Sequence, residues 1–179
     1  EDPSEMAAQA VDALARGYRL LKLKIGGRPI ADDLRNIRAI RDAVGPGIGI
    51  RVDANGGLDY ENAVQLLAQL RPLDIELVEQ PLALDDLAGA ARLTAHCGIP
   101  VMPDESLTSV ASARRIAACG AASIFGMKLA KHGGIHNGLQ IVDVARRAGL
   151  PVYPGNQPST SIGSANAAHF FAAVDIATL

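Results

Sequence analysis

Three acids, Asp53, Glu79 and Asp104, each follow a short apolar run, and so do three lysines, Lys22, Lys24 and Lys128. From Lys24 through Asp53, Glu79 and Asp104 to Lys128, these groups recur every 24–29 residues. Three carboxylates converging at neighbouring strand ends repel one another unless a cation sits between them. Oxygen-only ligands that leave room for water and substrate suit Mg²⁺, with Mn²⁺ as the alternative, rather than zinc. Lys22 and Lys24 stand at i and i+2, so on a strand both side chains point to one face. Two adjacent ammonium groups lower each other's pKa, which makes one available as a base near neutral pH. Lys128 is expected on the far side of the ring, facing Lys24 across the substrate with the cation between and below them. Asn55 and Glu105 lie just past Asp53 and Asp104 and read as groups that orient the ligands or Lys128. The chemistry this implies is removal of the α-proton of a metal-bound carboxylate through an enediolate. One lysine takes the proton and the other returns one to the opposite face. Alternatively, the intermediate expels a β-leaving group or closes a ring.

The elements that must position these groups are six short runs rich in Val, Ile or Leu: Leu20–Ile25, Ile48–Val52, Ile75–Val78, Ile99–Met102, Ser123–Met127 and Leu150–Tyr153. Their length and apolarity suit parallel strands buried on both faces. Helical spacing separates them, as in Leu34, Ile37, Ile40 and Val44, or Ala63, Leu66, Leu67 and Leu70. An earlier helix is expected from Pro3 to about Arg16, with Gly17 as its stop. Strands alternating with helices give an α/β protein with a parallel sheet. A doubly wound sheet does not need a polar group at every strand end, whereas a (β/α) barrel directs all of them into one site. The expected fold is therefore a parallel (β/α) barrel of the TIM type. Asn156 and Gln157 close the series after the sixth run.

The 179 residues are 49% hydrophobic and 20% charged, with a formal net charge of −2. That composition excludes a disordered chain. The charge balance argues against a nucleic-acid partner, and no apolar run is long enough to span a bilayer. Cys97 and Cys119 have neither CxxC nor zinc-site spacing and are expected as two buried free thiols in a reducing cytoplasm. The acidic start, Glu1-Asp2-Pro3, is not a signal peptide, and the lack of an initial Met suggests a piece of a longer chain. His132 is expected at the surface or against substrate. Ser159-Thr160-Ser161 reads as a helix N-cap.

Five motifs in order, Leu21-Lys22-Leu23-Lys24-Ile25-Gly26, Arg51-Val52-Asp53-Ala54-Asn55, Val78-Glu79-Gln80-Pro81, Pro103-Asp104-Glu105-Ser106 and the run Met127–Gly134, resemble the enolase superfamily. The match is to its muconate-lactonizing branch, with the mandelate racemase type more distant. The resemblance implies a Mg²⁺-dependent barrel with Asp53, Glu79 and Asp104 as ligands and Lys24 and Lys128 as the acid/base pair. Lys22 would assist Lys24 and contact the substrate carboxylate. Ser159 stands where many relatives carry a Glu, which leaves the substrate open. Against that family, residues 1–179 are expected to form a partial barrel of about six strands, without its first and last strands and without the N-terminal capping domain. The expected activity is racemisation or epimerisation of an amino acid or derivative such as an N-acyl amino acid, dipeptide or proline derivative. Muconate-type cycloisomerisation or hydroxy-acid dehydration is the alternative, and a non-catalytic fragment a further one. The expected partners are a small carboxylate substrate and, for the full-length protein, further copies of itself.

Overall fold

A computed structural model of the chain describes residues 2–155, 157–174 and 176. Helix α1 (Pro3–Ala15) is followed by β1 (Leu20–Lys24), α2 (Ile30–Val44), β2 (Gly49–Asp53), α3 (Tyr60–Leu70) and β3 (Ile75–Glu79). Then come α4 (Leu87–His96), β4 (Val101–Met102), α5 (Val110–Cys119), β5 (Phe125–Met127), α6 (Ile135–Arg147), β6 (Val152–Pro154) and α7 (Ser161–Ala173). The expected alternation is present, in an α/β fold with parallel sheets.

Local chemistry sets the boundaries. Asp2 accepts a hydrogen bond from Ser4 N at 2.8 Å and Pro3 opens α1, a favourable helix start. Ser109 and Ser112 form a reciprocal capping box at the start of α5. Thr160 caps α7, as expected for the Ser-Thr-Ser run. Strand β4 is shorter than the sequence suggests because Pro100 and Pro103 flank it, and proline cannot donate to a ladder.

Strands β1 to β4 pair in parallel in sequence order, and β5 pairs with β6 in a second parallel sheet. The two sheets meet where Ser123 N donates to Val101 O at 2.8 Å. Alternation then decides what each strand face does. On one side, Leu21, Leu23, Ile50, Val52, Ile75 and Val78 pack with α1 to α4 in the larger core. A second core joins β5 and β6 to α5, α6 and α7 around Phe125, Ile141 and Phe170. On the other side stand Lys22, Lys24, Arg51, Asp53, Leu77 and Glu79. Leu77, Met102 and Ile124 form a small cluster there with Tyr153 of β6 against it. The Arg51 guanidinium lies 4.6 Å from the Tyr153 ring centre, so β2 and β6 meet across a shared interior.

The β2–β3 register skips Glu76, a bulge that lets this carboxylate accept from Arg51 Nε at 2.8 Å. Among the described residues, no helix is long and apolar enough to cross a membrane. Cys119 is exposed and Cys97 half-buried, so the expectation of two buried thiols fails. Cys119 closes the last turn of α5 on its outer side.

Candidate active site

All four lysines of the chain lie in one place, while its thirteen other basic residues are arginine. Lys24, Asp53 and Glu79 are the last residues of β1, β2 and β3, in direct register with one another. Asp104 follows β4 and Lys128 follows β5. The three acids are almost wholly buried, at 1%, 3% and 4% exposure. Such burial is tolerable only where opposite charge is close.

That charge comes from the lysines. Lys22 Nζ lies 2.8 Å from Asp53 Oδ2 and 2.6 Å from Glu79 Oε2. Lys24 Nζ lies 2.7 Å from the same Asp53 oxygen. At the other end of the row, Lys128 bonds Asp104 Oδ2 and stands 3.9 Å from Glu79 Oε1. Lys131 bonds Asp104 Oδ1 and the Asp104 carbonyl, the latter at 2.6 Å. Beneath them is a cavity of about 270 Å³ lined in part by Lys22, Arg51, Glu79, Asp104, Lys128 and Tyr153.

The ionisation of the row follows from this geometry. Burial pushes the Asp53 carboxyl up, but bonds from Lys22 and Lys24 outweigh it and hold Asp53 below its usual range. Asp104 is held low in the same way, with Lys128 and Lys131 overcoming its burial. Glu79 goes up: burial is the main cause, and Asp53 and Asp104 repel its charge from both sides. Lys22 corrects an expectation. Burial lowers it, yet its bonds to Asp53 and Glu79 prevail, so its pKa rises rather than falls.

No group of three or more His, Cys, Asp or Glu converges tightly enough to hold a metal ion among the described residues. The ammonium groups account for that spacing, since they lie between the acids. The donor set nevertheless fits a hard divalent cation: three carboxylates, no sulfur, no imidazole. Lys22 already shows a positive centre held between Asp53 and Glu79.

Asn55, with φ 46°, donates its N–H to Asp53 Oδ1 at 3.0 Å and offers Oδ1 to Lys24 Nζ at 2.5 Å. Its amide nitrogen donates to Glu105 Oε1 at 2.8 Å. Glu105 therefore contacts the partner of Lys24 rather than Lys128. Ser159 is apart from this cluster, its hydroxyl sharing a hydrogen bond with Ser164 at 2.8 Å near the start of α7. Gln157 is half-buried after β6, and Asn156 lies outside the described residues.

Three further residues make contacts that the sequence does not indicate. Lys131 is one. Gln80 is another: its Oε1 accepts from Asp104 N, Ser106 N and Ser106 Oγ at 3.0, 3.1 and 3.0 Å. The third is His132, 2% exposed rather than at the surface, with Nε2 2.8 Å from Leu107 O. The burial follows from the need of that carbonyl for a donor. A Gly-flanked polar run gives no periodic signal for such contacts between loops.

Residues 5–179 match the family described as enolase C-terminal domain-like, and the chain belongs to it. It is 40% identical over 156 residues to muconate cycloisomerase 1 of Pseudomonas putida, covering 87% of this chain and 42% of that protein. It is 38% identical over 178 residues to the L-Ala-D/L-Glu epimerase of Clostridium acetobutylicum, covering 98% of this chain and 49% of that one. The solved dipeptide epimerase from Enterococcus faecalis V583 superposes with a TM-score of 0.94 at 36% identity, covering 98% of this chain and 51% of that chain. The chain thus spans about half the length of the relatives it matches. The fold matches the barrel domain of these isomerases.

Proposed function

We propose that the protein is a Mg²⁺-dependent isomerase that moves the α-proton of a small carboxylate substrate, most specifically an epimerase of dipeptides. The observation that carries this reading is the row of buried acids Asp53, Glu79 and Asp104, flanked by Lys24 at one end and Lys128 at the other. Two lysines approaching from opposite ends suit proton transfer on both faces: one, as the neutral amine, removes a proton, and the other, as the ammonium, returns one to the opposite face. A divalent cation held by the three acids, Mg²⁺ or Mn²⁺, would take up charge that develops on the substrate carboxylate. Lys22 then serves the substrate carboxylate and keeps a positive charge beside Lys24. Epimerases and cycloisomerases both occur among the relatives. The opposed lysines favour epimerisation, since ring closure needs no second base.

In this reading the chain supplies six strands of an eight-stranded barrel, and the rest of the protein supplies the first and last strands and an N-terminal capping domain. Among the described residues β1 and β6, the first and last strands of this chain, each pair with one neighbour, which leaves a place for them. A cytoplasmic homo-oligomer is the setting we assign to the full-length protein.

The test is α-proton exchange in D₂O by the full-length protein with Mg²⁺ over a dipeptide, N-acyl amino-acid and proline-derivative library. Exchange that chelation abolishes and Asp53→Asn eliminates supports the reading. No exchange, together with loss of muconate absorbance, replaces it with cycloisomerisation.

A further inference from the structure

We propose that Glu105 acts through Asn55 to set the position of Lys24, so that the loop after β4 controls the base on β1. The inference rests on the reading of Lys24 as one of the acid/base pair. Lys24 is the most exposed of the lysines at the acid row, with a side chain 65% open to solvent. A flexible four-carbon stem in that setting does not hold one geometry unaided. Two acceptors hold it: Asp53 Oδ2 at 2.7 Å and Asn55 Oδ1 at 2.5 Å. Asp53 belongs to the acids assigned to the cation, whereas Asn55 does not. Asn55 is therefore the anchor that Lys24 keeps when Asp53 turns to a metal.

An asparagine amide has an acceptor end and a donor end, and only one orientation offers oxygen to an ammonium. Glu105 fixes that orientation. An ionised carboxylate only accepts, and its Oε1 takes the Asn55 Nδ2–H at 2.8 Å, so Nδ2 must face Glu105 and Oδ1 must face Lys24. Its second oxygen, Oε2, is buried without a partner among the described residues, so the Asn55 bond is the one it makes. Asn55 itself sits at φ 46°, a left-handed turn that asparagine adopts more readily than most residues. The relay joins residues 50 positions apart in sequence. Glu105 adjoins Asp104, so the loop that carries a metal ligand also carries the group that orients the base. Glu105 and Asn55 are positioning residues.

The experiment is limited acetylation of the full-length protein with acetic anhydride, reading the Lys24 to Lys22 labelling ratio by peptide mass spectrometry. Asn55→Gly removes the side chain without strain at positive φ, and Glu105→Ala removes the remote acceptor. Both should raise the ratio about threefold, the change expected from one lost hydrogen bond. Glu105→Gln keeps an acceptor oxygen and should restore it. An unchanged ratio in both truncations overturns the relay. Exchange kinetics on L-Ala-L-Glu and L-Ala-D-Glu supply the second reading. Glu105→Ala should lower kcat about tenfold for one epimer with KM unchanged, the scale of a misplaced catalytic group. Equal losses for both epimers indicate a merely structural role and overturn it. If the unaltered protein exchanges neither dipeptide, the proposed function fails, and the labelling ratio still decides the relay.

Discussion

Lys131 grips Asp104 twice, through the carboxylate Oδ1 and through the main-chain carbonyl at 2.6 Å. Lys128 takes the other carboxylate oxygen. If Lys128 leaves to work on substrate, Lys131 keeps Asp104 aimed. Lys131→Met should therefore weaken Mn²⁺ binding about tenfold, the usual cost of losing a group that orients a metal ligand. Calorimetric titration of the full-length protein with Mn²⁺ checks this, and an unchanged affinity would refute it.

Gln80 ties Glu79 to the Asp104 loop. Its side-chain oxygen receives three donors, and its Nε2 donates to Leu82 O at 2.9 Å. Gln80→Leu strands those donors in a buried place and puts a branched side chain at φ 35°. The loss should be about 3 kcal/mol, since each unsatisfied buried group costs about 1–3 kcal/mol. Gln80→Glu retains the acceptor and should lose less. Urea unfolding midpoints of the two variants give the comparison.

His132 makes stability depend on pH. Burial, the main cause, holds its pKa below the ordinary 6.5, and its Nδ1 is buried with no hydrogen-bond partner among the described residues. The unfolded chain takes up a proton below that value while the folded chain does not. Its contribution is thus fully present above pH 6.5 and is lost as pH falls below it. The slope is about 1.4 kcal/mol per pH unit until the folded form also titrates. Thermal unfolding between about pH 5 and pH 7.5 should show this slope, and His132→Gln should flatten it.

Gly155 approaches Lys128 closely. A Cβ there would lie 3.0 Å from Met127 O and 3.1 Å from Lys128 Cγ, and Gly155 N donates to Met127 O at 2.6 Å. Backbone cannot give way easily, so Gly155→Ala moves the lysine. Turnover should fall about tenfold with Mn²⁺ affinity unchanged. Parallel kinetics and metal titration separate the two effects.

The strand ends were legible in the sequence because polar residues after short apolar runs can point only into the site. Asp53, Glu79 and Lys24 come together in register, as that pattern requires. Contacts across loops were not legible. Gln80 meets Ser106, Lys131 meets Asp104 and His132 meets Leu107 through pairings that no period of 2 or 3.6 marks. The pKa of Lys22 rises because its bonds to two acids outweigh its burial. That balance depends on distances of 2.8 and 2.6 Å, which sequence spacing does not supply.

In the proposed reaction Lys24 and Lys128 act on opposite faces of one substrate carbon. Its most direct measurement is α-proton exchange in D₂O on each of two epimeric dipeptides, with Mg²⁺, for full-length Lys24→Ala and Lys128→Ala. Each variant should stop exchange from one epimer only, and the two should block opposite epimers. Loss of both epimers in both variants, or of the same epimer in each, would contradict the claim.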